Sequence, residues 1–398
     1  MPYLPGLPPE VIGQILDEIR DSATRTDLSN FSLISRAWCR PAQSLLHSHV
    51  SIGKEEKVQL LIQKYTLYPY LRELASSIHL YGWEIRSFSE GLLAFEETIM
   101  AEKFEQLMDM FKVGGRCIRD LYIESYAWNE EHSRKILNSF PAVEKLVMHR
   151  IDLSMSPEKL VFLVMGMANL TSLSLYSMTW LERPNFEERM ARLSLSQCAK
   201  RLSHLDICPV NTLPSLLILL SGPAFDWSGL RSLTLGWQDH SDPNSYEAIK
   251  GFLSLLGPQV TQLTISTPSS IDDERAMNSA LCLRDLISTQ VLYHFTSLRR
   301  LAFCTYDVNR PFETSHYKNF IGYYHTRTLL KTMRTPSTVE EIEIKILKPP
   351  FGSSVPATWH PLRDLIRSSE IFPNLKGEQG LWVINDSGRR AHENTSIR

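Results

Sequence analysis

Cysteine is sparse and never closely paired: Cys39, Cys117, Cys198, Cys208, Cys282 and Cys304 are scattered, with no C-x-x-C among them. That spacing argues against a zinc ligand set and against the disulfide framework of a small secreted scaffold. No apolar run approaches the roughly 20 residues that a membrane-spanning helix needs. The opening Met1-Pro2-Tyr3-Leu4 lacks the charged-then-apolar pattern of a secretory leader. A reducing compartment, cytoplasm or nucleus, is therefore expected, and the sequons at Asn30, Asn169 and Asn394 are read as chance matches. Neither charge sign is in excess, with 42 Lys and Arg against 44 Asp and Glu. No global field then draws the chain to nucleic acid or to a membrane surface.

Signatures of catalysis are missing as well. There is no phosphate-binding G-x-x-x-x-G-K-[ST], no G-x-G-x-x-G after a strand and no G-x-S-x-G elbow. In a strand His47 and His49 would put two imidazoles on one side, but no cysteine is near and no acid shares that side, so no metal is expected. A transferring cysteine needs an activated thiolate. Cys39 sits beside Trp38, and Cys208 and Cys304 fall at strand positions, where packing is the simpler account. The reading is of a non-enzyme without cofactors.

What is present begins at Leu7. Pro8 and Pro9 suit a first helical turn, where a missing N–H costs nothing, and Glu10 complements the positive end of the helix dipole. Ile12, Ile15, Leu16 and Ile19 make one apolar helical face. After a polar gap at Asp21–Thr26, Thr26 or Asp27 is the expected cap of a second helix carrying Leu28, Phe31, Ile34 and Trp38, with Leu33 and Ala37 beside them. Pro41 is expected to start a third, shorter helix with Leu45 and Leu46. About 45 residues bury little surface alone, so a module this apolar is expected to keep part of its apolar surface outside, as a partner site.

The opening Leu7-Pro8-x-Glu10, the spacing of Ile12, Ile15 and Ile19, the block Leu33-Ile34-Ser35-Arg36-Ala37-Trp38, and then Pro41 and Leu45 resemble the F-box motif. That resemblance implies a three-helix module over residues 1–50 that docks on a Skp-type adaptor and through it on a cullin-based ubiquitin ligase. Carried over by position, it implies adaptor contacts at Leu7, Pro8, Ile12, Ile15, Leu28, Leu33, Ile34 and Trp38. Some of these must pack inside the module, and the sequence does not sort them.

Residues 51–384 carry a repeat. After a strand at Val50-Ser51-Ile52 and a helix over Lys54–Tyr65, an apolar-x-x-apolar-x-apolar pattern recurs. Its central residues are Ile78, Leu121, Leu146, Leu173, Leu205, Leu233, Leu263, Leu301 and Ile342, spaced by 25 to 43 residues. Each instance ends in a half-buried strand. Helical patterns lie between, at Leu92–Phe111, Ser133–Phe140, Pro157–Met167, Phe186–Lys200, Tyr246–Leu256 and Asp272–Leu292. Such alternation fits either a doubly wound sheet or an α/β solenoid with parallel inner strands and outer helices, which the recurring strand signature favours. The pattern resembles the irregular leucine-rich repeats found behind F-boxes, most like those of filamentous fungi, although the Asn or Cys expected after each strand is mostly absent. A last strand is expected at Leu381–Ile384, and residues 385–398, polar and without aromatics, are expected to be disordered.

Residues between the buried strand positions face away from the helices. They run from Tyr122, Glu124, Val147 and His149 through Ser174, Tyr176, Asp206, Cys208, Thr234 and Thr264 to Glu343 and Lys345, small in the middle and larger or charged at the ends. With Tyr126, Trp237 and Tyr306 just past their strands, the candidate target-binding face is Tyr122, Tyr126, His149, Tyr176, Asp206, Trp237 and Tyr306, since interfaces favour aromatics. The resulting expectation is a substrate-recognition subunit of a ubiquitin ligase. The alternative is a repeat scaffold that joins proteins without directing ubiquitin transfer.

Overall fold

The computed structural model describes residues 7–19, 24–53, 55–81, 102–103, 105–112, 117–124, 130–151, 157–178, 199–208, 214–236, 243–266, 290–306, 329–333, 337–347, 365–366, 370–376 and 381–385. The fold is α/β with parallel strands, divided into two compact units: Met1–Leu170 with Thr179–Leu181, and Thr171–Met178 with Glu182–Arg398. Among the described residues no helix is long and apolar enough to cross a membrane.

The first unit opens with α1 (Pro9–Ile19), α2 (Arg25–Ile34) and α3 (Arg36–Ser48). The cap of α2 is Thr24, two residues before the earlier of the two expected positions. Its hydroxyl accepts from the Asp27 N–H at 3.2 Å, and the Asp27 carboxylate accepts from the Thr24 N–H at 2.9 Å, a reciprocal capping box. The Thr24 hydroxyl also donates to the Asp27 carboxylate at 2.7 Å, and this bond, then that from the Thr24 N–H, holds the Asp27 carboxyl below its usual range. The second helix also ends earlier than its apolar spacing implies. Ser35 is extended (φ −162, ψ 169), and the Trp38 and Cys39 amides restart on its carbonyl. Pro41 therefore lies inside α3, where it forgoes one backbone bond, rather than at its start.

Ile12, Leu16, Leu28 and Ala42 are buried together at the centre of these helices, with Ile19, Phe31, Trp38, Leu45 and Leu46 packed around them. Next in the chain is β1 (His49–Ile52), which is the first rung of a parallel sheet as well as the end of the helical segment. It is followed by α4 (Glu55–Leu67), a 3-10 turn Pro69–Leu74, β2 (Ser77–Tyr81), a helical stretch across 105–112, β3 (Asp120–Glu124), the helix Glu130–Ser139, β4 (Lys145–His149) and the helix Pro157–Gly166.

Register aligns the repeat. Val50 pairs with Ile78, Ile78 with Leu121 and Leu121 with Leu146, all buried. Rings of Tyr65, Phe111 and Phe140 run from element to element behind these strands, at centroid distances of 5.6 and 5.7 Å. Gly166 lets its helix approach Leu137 closely, because a Cβ there would fall 2.5 Å from Leu137 Cδ1.

The second unit repeats the plan. Its sheet is ordered β5 (Ser172–Tyr176), β7 (His204–Cys208), β9 (Ser232–Gly236), β10 (Gln262–Ser266), β11 (Arg300–Tyr306), β12 (Glu341–Leu347) and β13 (Leu381–Asn385). A two-stranded ladder of β6 (Lys200–Arg201) and β8 (Phe225–Asp226) stands apart from it. Leu173, Leu205, Leu233, Leu263, Leu301, Ile342 and Leu381 form one register line. Lys200 thus lies in a strand, not at the end of a helix; the rest of the helix expected at 186–200 falls outside the described residues, as does most of the one at 272–292. Pro214–Ser221 is a helix that the periodicity did not signal. Its Leu216, Leu217, Leu219 and Leu220 are buried and only Ile218 among its leucines and isoleucines is well exposed, so it has no polar stripe to give a 3.6-residue beat.

Two observations separate this arrangement from a doubly wound sheet. Among the described residues the strands in each unit are added in chain order, with no reversal at which a switch-point crevice forms. In β3, β4, β7 and β10 one face is buried and the other is partly open, whereas helices on both sides of a parallel sheet bury both.

Candidate partner-binding surfaces

On the first three helices the apolar side chains separate into two sets. Leu33 (80% exposed), Ile34 (59%), Leu7 (45%) and Ile15 (36%) stand open to solvent, and Pro8 is exposed beside Leu7. Ile12 and Leu28, placed among the adaptor contacts by resemblance, are instead enclosed in the core of the module and offer no surface. Trp38 is intermediate, its ring 5.7 Å from Phe31. The apolar face of α1 is divided by its own geometry: Ile12, Leu16 and Ile19 turn inward, while Ile15 lies at the margin.

The open face of the first unit's sheet brings Tyr122 and His149 together. Glu124 on β3 lies between two imidazoles, accepting from His79 Nε2 at 3.1 Å and from His149 Nδ1 at 3.2 Å. A carboxylate only accepts, so these bonds place the proton on Nε2 of His79 and on Nδ1 of His149. Tyr81 accepts from Lys57 at 2.8 Å, and Lys145 stands 5.5 Å above the Tyr122 ring. His79 and Tyr81 escaped the sequence reading because the repeat at Ile78 is its weakest instance. Lys57 escaped it because nothing in the pattern ties α4 to that face. Together they make a polar, aromatic surface with both charge signs, of the kind that orients a protein partner. Among the described residues no group of three or more His, Cys, Asp or Glu has the arrangement of a metal site.

In the second unit Tyr176 donates to Asp206 across neighbouring strands. Burial, then that bond, pushes the Tyr176 hydroxyl well above its ordinary range. Burial and the Asp206 charge also push the Cys208 thiol up to about 11. Its sulfur occupies the space over Gly236, where a Cβ would lie 2.2 Å from Sγ. A thiol held neutral is the opposite of what a transfer nucleophile needs. At pH 8 Cys208 should therefore react with iodoacetamide at least about ten-fold more slowly than exposed Cys117, with the two rates converging in denaturant. Equal rates in the folded protein would contradict this placement. At the other end of the sheet Glu343 is buried and takes a hydrogen bond from Arg300.

Tyr306 is the last residue of β11, opposite Leu347, rather than a loop residue beyond it. Tyr126 and Trp237 lie outside the described residues. No protein-family model and no curated protein matches this chain.

Proposed function

We propose that this protein is a substrate-recognition subunit of a cullin-type ubiquitin ligase. In this reading α1 to α3 are an F-box that holds a Skp-type adaptor, and the strands and helices after them are leucine-rich-repeat-like units that hold a target protein. Its contribution to the reaction is proximity: a target lysine is raised to a high effective concentration beside a charged ubiquitin carrier, with no bond made or broken by this chain.

The observation that carries the reading is the sorting of apolar residues on the first helices. A module with its own enclosed core still exposes Leu33, Ile34, Leu7 and Ile15, at positions the F-box resemblance assigns to the adaptor. The regular register within each unit suits the second half of the role, since a row of parallel strands presents side chains in ordered columns to a partner.

Co-purification tests it. The full chain should bring down the adaptor together with cullin. Adaptor without cullin favours the non-degradative scaffold, and capture of neither defeats the adaptor assignment.

A further inference from the structure

A groove of about 820 Å³ crosses the second unit along the edge where its strands begin. Its floor is a row of residues, each standing just before or level with the start of its strand and linked to the next by a backbone hydrogen bond. The Thr261 amide donates to Arg231, that of Arg299 to Thr261, that of Glu340 to Arg299 and that of Lys376 to Glu340, at 2.8 to 3.1 Å. Read along the row, every second rung is cationic: Arg231, Arg299, Lys376.

Neighbouring rungs are about 4.8 Å apart, so the cations recur at roughly 9.6 Å. Three residues of polyproline II chain span about 9.3 Å and bring the side chain back to the same side. The two repeats match. Glu340 sits between Arg299 and Lys376, at 3.8 and 3.0 Å, which pins the two cations in place and holds the Lys376 ammonium above its usual range. Among the described residues Arg231 makes no ion pair, and its guanidinium meets the Leu230 and Gln259 carbonyls, each at 3.5 Å.

We infer that this groove binds an acidic peptide segment of a partner protein in the polyproline II conformation, lying across the strands with carboxylates three residues apart over Arg231, Arg299 and Lys376. Thr261, Thr338 and Asn374 also line the groove; each already donates to a backbone carbonyl, of Arg231, Leu298 and Ser337, which leaves their side-chain oxygens to accept from the N–H groups of such a segment. A nucleic-acid strand is the poorer occupant, because among the described residues no aromatic side chain lines the groove to stack a base. The inference stands on the second unit alone and does not depend on an adaptor.

The test is fluorescence anisotropy on the full chain without adaptor, using three labelled twelve-residue peptides in a serine background. One carries glutamates at every third position, one carries the same glutamates clustered, and one carries lysines at every third position. The spaced acidic peptide should bind roughly ten-fold more tightly than the clustered one, weaken as salt is raised, and leave the lysine peptide unbound. Arg231→Glu should reduce its affinity by at least about ten-fold, and Arg231→Ala by less, with the thermal melt unchanged because the side chain is exposed. Equal affinity for spaced and clustered peptides overturns the inference. So does unaltered binding by Arg231→Glu, or displacement of the peptide by an equimolar single-stranded oligonucleotide.

Discussion

Replacing Leu33 and Ile34 together by lysine should abolish adaptor capture while leaving the melting temperature within a few degrees of the parent. Both side chains are already mostly in water in the isolated chain, so the folded state loses almost no buried apolar area. Lysine is the better replacement than aspartate for a reason internal to α2. Ile34 is its last residue, where the helix dipole is negative, so a cation there is mildly favourable and a carboxylate is not. In the complex the balance reverses. Each anchor truncation costs about 2 kcal/mol, and an ammonium buried without a partner costs more. The pair then removes at least about 4 kcal/mol, close to a thousand-fold in affinity. Ile12→Asp provides the contrast, since it places a charge in the enclosed core and should unfold the module outright. If the double lysine variant still captured adaptor at parental affinity, the exposed pair would not be the docking surface.

Strands were legible because their signature is short and local. A pattern six residues long marked Ile78, Leu121 and Leu146, and Leu173 to Ile342, and each lies on a register line with its neighbours in its own unit. The additional rung β1 was read only as a closing strand, since the position equivalent to the leading apolar residue is His47. Less legible was anything decided by a single backbone torsion or by which side of a helix packs inward. The break at Ser35 lies in an unbroken apolar spacing from Leu28 to Trp38, and only its extended conformation splits that run between two helices. Ile12 and Ile15 are chemically alike and three residues apart, yet one is fully buried and the other is more than a third exposed. The cationic row at the strand starts was invisible for another reason. Arg231, Arg299 and Lys376 are far apart in sequence, at positions that the repeat pattern leaves unconstrained, and only register brings them into one line.

The largest loss of stability expected from a single truncation in the second unit is at Trp227. Its ring is stacked on Phe225 at 5.3 Å and meets Phe252 edge-on at 6.0 Å, and it is 5% exposed. Its indole N–H donates to the Leu220 carbonyl at 2.8 Å. Leu220 lies in the last turn of the helix Pro214–Ser221, where carbonyls have no partner within the helix. One side chain thus fills the core and caps a helix end. Trp227→Ala should cost about 3–5 kcal/mol, and for a unit of this size each kcal/mol lowers the melting point by about 2–4 °C, so a drop of about 10 °C is expected. Trp227→Phe keeps most of the ring contact but removes the donor, at a cost of about 1–3 kcal/mol. The order parent, Phe, Ala in thermal midpoint is the signature of the two roles acting together. A Phe variant as stable as the parent would mean that water serves the Leu220 carbonyl equally well, leaving packing as the whole contribution. An Ala variant melting with the parent would mean that the aromatic stack contributes nothing to the unit's stability.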